Sequence, residues 1–201
     1  MKLIFVRHGK DADGYRGGWS KLPLIPEGIE QAERLAAHIK ENACVYGITR
    51  ILASDLPRAM ATAERVACAL GLEVQMEPGL RETNNGELAG MPNDIALERY
   101  PGLFFSSLDM DEPYPGGESP REFFLRIEAW FSAFCAGCAD EEGNVLVVTH
   151  GGVINVIYHL VKGMEWSNKN RPFETAYCGI HVLNVETMAF EVENKNDFLQ
   201  F

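Results

Sequence analysis

Hydrophobic patterning along the chain predicts six β-strands. Three runs are apolar almost throughout, which is typical of parallel strands covered on both faces; they lie at 3–6, 48–53 and 144–149. Three further stretches complete the predicted strands: 73–77, 178–185 and 188–192. We expect the last two to form a closing pair.

Between these strands, apolar residues recur every three or four positions, which is the spacing of an amphipathic helix. The predicted helices cover 27–41, 57–70, 94–100, a stretch that begins at 120, and 153–161. Asp55 is expected to cap the second of these helices, and Ser119 with Glu122 forms a capping box for the fourth. The alternation of strands and helices predicts an α/β fold with a mostly parallel central sheet.

Between residues 83 and 118 the periodic pattern weakens, and glycines and prolines are frequent. Connections of this length are uncommon within a compact domain and are usually functional. We call this stretch the 83–118 segment and predict that it forms a lid. Because no linker or repeat interrupts the chain, we expect residues 1–201 to form a single domain with this segment as an insert.

The charge balance excludes several classes of partner. The 201 residues include 18 Lys and Arg against 29 Asp and Glu, for a net charge of −11, whereas nucleic acids and anionic membranes are bound mainly through Lys and Arg. No apolar run approaches the roughly 20 residues of a membrane-spanning helix. The first strand follows Met1 without a signal-peptide pattern. We therefore expect no nucleic acid, no membrane and a cytoplasmic location.

The five cysteines are odd in number and lie mostly among apolar neighbours, which favours reduced, buried thiols. Cys135 and Cys138 form a C-x-x-C pair, but no second pair stands at metal-binding spacing. We therefore expect no metal or redox role for this pair.

Polar residues suited to chemistry follow three of the predicted strands. Arg7-His8-Gly9 follows the first strand, residues 54–58 follow the second, and His150-Gly151-Gly152 follows the strand at 144–149. Ligands bind outside the carboxyl ends of parallel strands, so we expect the three clusters to meet at one edge of the sheet. Their arginines, histidines and helix N-termini are groups that bind anions.

Six motifs, in order along nearly the whole chain, resemble those of the histidine phosphatase (phosphoglycerate mutase-like) superfamily. They are Arg7-His8-Gly9, Pro23-Leu24 with Gly28 and Gln31-Ala32, Ser54-Asp55-Leu56-Pro57-Arg58-Ala59 with Thr62-Ala63, Leu80-Arg81-Glu82 with Gly86, Pro115-Gly116-Gly117-Glu118-Ser119, and Thr149-His150-Gly151-Gly152. The resemblance implies a three-layer α/β/α sandwich of the phosphoglycerate mutase type.

The resemblance also implies roles for individual residues. His8 would be the nucleophile that takes the phosphoryl group, and Glu82 would be the general acid and base. The groups expected to hold the phosphoryl oxygens or otherwise bind substrate are Arg7, Arg58, His150, Gly151 and Lys10. No metal or other cofactor is implied, because the arginines and His150 supply the positive charge.

Three positions depart from the family pattern. Lys10 and Asp11 stand where the family often has Glu or Gln and then Ser or Thr, and Gly14 stands where it often has an Asn that contacts phosphate. We therefore carry no phosphate role over to Gly14 and only a weak one to Lys10.

The function that these observations favour is metal-independent hydrolysis of a small phosphorylated metabolite through a phosphohistidine. Three alternatives stay open: a phosphoglycerate mutase, a phosphohistidine-protein phosphatase and a non-catalytic module that binds a phosphorylated ligand. Arg99 is the single basic residue between 83 and 115, whereas the mutases carry several after the catalytic Glu. A long insert would cover the open site of a protein phosphatase, and the presence of His8 and Glu82 disfavours a non-catalytic module. A homodimer is left open as the assembly.

The charge of the 83–118 segment predicts which class of substrate the protein prefers. Acidic residues outnumber its single base, so we expect the segment to repel a second anionic group on the substrate. Its apolar residues between 103 and 108 suit a neutral leaving group. Neutral-alcohol monophosphates are therefore the predicted substrates.

Overall fold

Six strands form one mixed sheet in the computed structural model, which describes residues 1–137 and 142–199. The strands are β1 (Lys2–Arg7), β2 (Ile48–Ala53), β3 (Val74–Met76), β4 (Asn144–Thr149), β5 (Ile180–Asn184) and β6 (Ala189–Lys195). Their order is β3-β2-β4-β1-β5-β6. The first four in this order run parallel, whereas β5 is antiparallel to both β1 and β6. The predicted parallel sheet with a closing pair is confirmed.

Helices cover both faces of the sheet. They are α1 (Pro26–Glu41), α2 (Ala43–Tyr46), α3 (Pro57–Leu70), α4 (Asn93–Arg99), α5 (Pro120–Gly137) and α6 (Gly151–Lys162). The pair α1 and α3 packs against one face, and the pair α5 and α6 packs against the other, which confirms the three-layer α/β/α sandwich. Within the described ranges, none of these helices has the length and apolar character needed to cross a membrane.

The central strand β1 shows why the sequence pattern is continuous rather than alternating. Side chains along a strand point alternately to opposite faces. Leu3 and Phe5 join the core under α5 and α6, while Ile4 and Val6 join the core under α1 and α3. Because both faces are covered, every one of these positions has to be apolar.

The sequence predicted the N-terminal cap of α5 correctly and that of α3 incorrectly. The capping box is confirmed, since the Ser119 amide donates to the Glu122 carboxylate at 2.8 Å and the Glu122 amide to the Ser119 hydroxyl at 3.2 Å. Asp55, in contrast, does not cap α3. The N-cap of α3 is Leu56, which makes no side-chain cap, and the Asp55 carboxylate instead binds the Arg81 guanidinium.

The prediction of buried thiols is wrong for part of the set. Cys44 and Cys68 are exposed, Cys135 is half-buried and Cys178 is fully buried. Apolar neighbours in sequence did not secure burial, because both exposed cysteines lie on the outer faces of helices α2 and α3. Cys138, the partner of Cys135 in the C-x-x-C pair, lies outside the described residues.

The 83–118 segment folds back on itself. Its two ends are joined by backbone hydrogen bonds from Glu118 to Asn84 and from Glu87 to Pro115, both 2.9 Å long. Within the segment, buried side chains form a small apolar cluster that consists of Leu88, Leu108 and Tyr114. The segment therefore forms an ordered substructure at the edge of the sheet where the three polar clusters lie. Its action as a lid stays a prediction.

A close backbone contact fixes the loop that follows β1. A Cβ atom on Gly28 would lie 2.0 Å from the Lys10 carbonyl oxygen, and one on Gly9 would lie 2.4 Å from the Gly28 carbonyl oxygen. No side chain fits between the loop and the first turn of α1. The glycines of the R-H-G and Gly28 motifs therefore let this loop approach the helix.

This contact predicts opposite effects for two helical glycines. Gly28→Ala should destabilise the protein by about 1–3 kcal/mol, the usual cost of forcing extra atoms into a packed site. In the middle of a helix, Gly→Ala otherwise stabilises by roughly 0.5–1 kcal/mol. Gly137 is the last residue of α5 and has no atom of the described residues within 4 Å of an added Cβ, so Gly137→Ala should raise the stability by part of that amount. Urea unfolding of the two variants measures the difference, and equal stability of Gly28→Ala and Gly137→Ala would contradict the close contact.

Candidate active site

The three polar clusters converge where the sequence predicts. Strands β2, β4 and β1 are parallel neighbours, so their carboxyl ends lie side by side at one edge. Arg7 ends β1, His150 follows β4, and Arg58 lies in the first turn of α3 just after β2. The His8 and His150 rings lie with their centroids 5.0 Å apart.

The hydrogen bonds of His8 define its tautomer. Nδ1 lies 2.7 Å from the Gly9 carbonyl oxygen, which can only accept, so Nδ1 carries the proton. Nε2 accepts a hydrogen bond of 3.2 Å from Nε of Arg58. The lone pair of Nε2 is thus on the Arg58 side of the ring, and the ring itself is only 4% exposed.

The surroundings of His8 keep the imidazole neutral. Burial lowers the pKa of His8 well below its ordinary value, and the positive charges of Arg58 and Arg7 lower it further. The hydrogen bond to Gly9 opposes this shift but does not reverse it. At pH 7 the ring is therefore a neutral imidazole, the form that can act as a nucleophile.

Arg58 is a buried cation whose N–H groups are directed by the loop after β1. Its two terminal nitrogens donate to the carbonyl oxygens of Gly18, at 2.7 Å, and Ser20, at 3.1 Å. Its Nε also lies 3.4 Å from a carboxylate oxygen of Asp11. These acceptors compensate a guanidinium that is only 2% exposed.

The second arginine of the site is held by the chain near residue 175. The Arg7 guanidinium donates to the Thr175 carbonyl oxygen at 2.8 Å and lies 3.7 Å above the centre of the Tyr177 ring. Tyr177 also contacts His8, with 5.8 Å between ring centres. Tyr177 therefore orients both Arg7 and the imidazole.

Glu82 reaches the site through a gap left by a glycine. Its carboxylate accepts from the amides of Gly152, at 3.0 Å, and Thr83, at 3.1 Å. A Cβ atom on Gly152 would lie 2.3 Å from a carboxylate oxygen of Glu82, so only glycine allows this approach. The backbone of Glu82 is fixed as well, because Trp19 and Arg126 both donate to its carbonyl oxygen.

His150 lies behind His8 and is completely buried. Its Nε2 lies 2.9 Å from the Ser54 hydroxyl, while its Nδ1 is buried without a hydrogen-bond partner among the described residues. Burial lowers the pKa of His150 well below its ordinary value, with Arg58 and His8 adding to the effect. The predicted contact of His150 with a phosphoryl oxygen stays a prediction, because the ring does not line the open cavity.

A cavity of about 490 Å³ opens in front of His8. Its walls include four of the predicted residues, namely Arg7, His8, Arg58 and Glu82. Gly151 does not line it, and neither does Lys10. The weak substrate role expected for Lys10 has no geometric support, since its ammonium group is held by Glu27 at 2.8 Å and Asp13 at 3.6 Å.

The acidic residues of the 83–118 segment do not face this cavity. The segment contributes only uncharged side chains to the wall, and they are Thr83, Asn85, Asn93, Phe105 and Tyr114. Glu118 is paired with Arg126, and Asp111 is paired with Arg121. These acids are therefore not in direct contact with the cavity, and the expectation that they repel a second anionic group on the substrate stays a prediction.

Arg126 fixes the backbone around Glu82, and sequence reasoning missed this residue. Its guanidinium donates to the carbonyl oxygens of Gly79, Arg81 and Glu82 and pairs with Glu118. A signal for it exists in the sequence, since Arg126 lies on the apolar stripe of α5 beside Phe123 and Ile127. A charge on a buried stripe indicates a paired, positioning role.

Within residues 1–137 and 142–199, no group of three or more His, Cys, Asp or Glu side chains is placed so that it could hold a metal ion. The charged groups on the cavity wall at His8 are four guanidiniums (Arg7, Arg16, Arg58 and Arg171) and three carboxylates (Asp11, Asp13 and Glu82). Guanidiniums bind a phosphoryl group by hydrogen bonds and positive charge, and a carboxylate beside them can exchange a proton.

Known proteins share both sequence and fold with this chain. A protein of Enterobacter sp. (strain 638) named "Probable phosphoglycerate mutase GpmB" is 31% identical over 171 residues, which is 82% of this chain and 76% of that protein. The alpha-ribazole phosphatase from Shigella flexneri superposes with a TM-score of 0.82 at 23% identity over 98% of this chain and 97% of that one. A mycobacterial glucosyl-3-phosphoglycerate phosphatase superposes with a TM-score of 0.75 at 24% identity over 97% and 98% of the two chains.

The model of the histidine phosphatase superfamily, branch 1, matches residues 3–198. That span includes all six strands apart from Lys2, the first residue of β1, and all of the residues around the cavity. The chain therefore belongs to the histidine phosphatase superfamily.

Proposed function

We propose that the protein is a metal-independent phosphatase that hydrolyses small phosphomonoesters through a phosphohistidine on His8. The observation that carries this proposal is the tautomer of His8: a neutral ring whose Nε2 lone pair lies beside the buried guanidinium of Arg58. Membership of the superfamily supports a phosphatase or mutase activity.

In the first step, Nε2 of His8 attacks phosphorus, and the bond between phosphorus and the alcohol oxygen breaks. Arg58 and Arg7 stabilise the charge on the phosphoryl oxygens, which is the main contribution of an enzyme to phosphoryl transfer. Glu82, in its protonated form, gives its proton to the leaving alcohol oxygen.

In the second step, Glu82 takes a proton from a water molecule that attacks the phosphohistidine. The bond between phosphorus and Nε2 breaks, inorganic phosphate leaves, and His8 regains its lone pair. A single carboxylate therefore serves as acid and then as base. The close fit of Glu82 against Gly152 supports this role, because it fixes the position of the carboxylate on the cavity wall.

The phosphohistidine is directly testable. Rapid quench of the enzyme with a ³²P-labelled phosphomonoester should give an acid-labile, alkali-stable label, and peptide mapping should place it on residue 8. His8→Ala should lose both the label and turnover. His38→Gln is the control, since His38 contacts Tyr46 and Phe198 far from the cavity. Wild-type turnover in His8→Ala would refute the proposal.

The role of Glu82 predicts a dependence on the leaving group. Glu82→Gln should lower kcat/KM on glycerol 3-phosphate by about 10²–10⁴-fold, the usual contribution of a positioned acid. The loss should be much smaller on 4-nitrophenyl phosphate, whose leaving group needs no proton. Gly152→Ala, which pushes the carboxylate aside, should show the same pattern in milder form. Equal losses on both substrates would contradict the assignment.

A phosphoglycerate mutase is the second candidate, and the similarity to the Enterobacter protein favours it. In a mutase the phosphohistidine returns its phosphoryl group to the bound product rather than to water. Incubation with 3-phosphoglycerate, followed by ³¹P NMR, separates the two reactions. We expect inorganic phosphate to accumulate, whereas conversion to 2-phosphoglycerate without release of phosphate would establish the mutase instead.

We also propose a cytoplasmic location. The four described cysteines are free thiols, two of which are exposed. Exposed free thiols are typical of a reducing compartment.

A further inference from the structure

Two arginines line the cavity and have no part in the proposed reaction. They are Arg16, in the loop after β1, and Arg171, in the stretch between α6 and β5. Neither guanidinium makes a hydrogen bond or an ion pair within residues 1–137 and 142–199. An arginine that lines a cavity without an acceptor is available to a ligand.

Arg16 is held in place before any ligand binds. Its amide donates to the Met91 carbonyl oxygen at 2.9 Å, and its own carbonyl oxygen accepts from the Gly90 amide at 2.8 Å. The guanidinium lies 4.1 Å above the centre of the Phe104 ring. Both the backbone and the side chain of Arg16 are therefore fixed against the 83–118 segment.

Two nitrogens of this guanidinium are buried without partners. Nε and one terminal nitrogen of Arg16 are shielded from solvent and donate to no group of the described chain. Buried donors are almost always satisfied in folded proteins, so unsatisfied ones call for an acceptor from outside the chain. Among the residues that the structure describes, Arg16 has no ion-pair partner that would account for its position.

Arg171 lies on the same cavity as an exposed side chain, and Tyr114 connects the two arginines. Burial raises the pKa of Tyr114 to about 12, while the positive charges of Arg16 and Arg171 act in the opposite direction. All three side chains line the same cavity, and the phenol keeps its proton at pH 7. Tyr114 adds a neutral hydroxyl to the two cations on this part of the wall.

The acids on the cavity wall do not cancel these two charges. Asp11 lies 3.4 Å from Arg58, and Asp13 lies 3.6 Å from the ammonium group of Lys10. Glu82 is bound by backbone amides of Gly152 and Thr83. Arg16 and Arg171 are therefore a source of uncompensated positive charge, separate from the pair at His8.

We propose that Arg16 and Arg171 bind a second anionic group, a carboxylate or a phosphate, on the alcohol part of the substrate. This inference rests on the proposed phosphatase function and names its substrate class: phosphomonoesters of acidic alcohols. The cavity of about 490 Å³ has room for a small molecule with an anionic group at each end. This inference reverses the expectation, drawn from the acidic 83–118 segment, that monophosphates of neutral alcohols are the preferred substrates.

The test compares substrates that differ only in the second anion. 3-Phosphoglycerate and glycerol 3-phosphate differ by a carboxylate in place of a hydroxymethyl group. The bisphosphate and monophosphate of propane-1,3-diol form the corresponding pair for phosphate. In at least one pair, we expect the wild type to have the higher kcat/KM on the compound that carries an anionic group at both ends. The pair that shows this preference identifies the second group as a carboxylate or a phosphate.

Arg16→Gln and Arg171→Gln should each reduce that preference by about tenfold or more, and the double variant should abolish it, because hydrogen bonds to charged groups are stronger than neutral ones. Arg16→Lys should recover part of it. Arg99→Gln is the matched control, since Arg99 is an exposed arginine on α4 that does not line the cavity. Hydrolysis of 4-nitrophenyl phosphate should change little in any of these variants.

An unchanged preference in Arg171→Gln and in the double variant, with 4-nitrophenyl phosphate still hydrolysed, overturns this inference and leaves the phosphatase function intact. Calorimetric titration of His8→Ala with 3-phosphoglycerate and glycerol 3-phosphate tests the subsite without turnover. Tighter binding of 3-phosphoglycerate that Arg171→Gln removes supports the subsite even if no substrate is hydrolysed. Equal affinities for the two ligands overturn it.

Discussion

The hydrogen bond between Arg58 and His8 is the interaction on which the rest of the site depends. Burial lowers the pKa of the His8 imidazole, and the adjacent Arg58 guanidinium lowers this pKa further, because protonation would place two positive charges 3.2 Å apart in a region of low dielectric. The buried charge of Arg58 is itself stabilised by the carbonyl oxygens of Gly18 and Ser20 and by the carboxylate of Asp11. The loop after β1 thus supports the cation that controls the nucleophile.

Close backbone packing positions the other groups around this pair. Gly9 and Gly28 let the loop after β1 lie against α1, and the Gly9 amide donates to the Thr62 hydroxyl on α3 at 3.0 Å. On the other side, Gly152 admits the Glu82 carboxylate. These glycines lack a side chain and therefore allow close contacts between neighbouring parts of the chain. The close contacts in turn hold the polar groups of the site in position.

The fold and the convergence of the clusters were predictable because both depend on local pattern. Continuous apolar runs define β1 and β4, and polar residues directly after them must lie at the sheet edge. The ion-pair partners of individual side chains were not predictable, because they depend on residues that are distant in the sequence. Asp55 binds Arg81 instead of capping α3, Lys10 binds Glu27 instead of lining the cavity, and the acids of the 83–118 segment do not line the cavity either. The composition of the segment therefore did not predict which charged side chains line the cavity.

The protonation state of His8 is the central claim, and ¹⁵N NMR of the imidazole measures it most directly. A protein labelled at histidine, with the His8 signals assigned by comparison with His8→Ala, can be titrated from pH 8 downward. Because the pKa of His8 is lowered, we predict a neutral ring with its proton on Nδ1 that persists as the pH falls through about 6.5, the ordinary histidine value. A ring that titrates at about 6.5, or that carries its proton on Nε2, would contradict the claim.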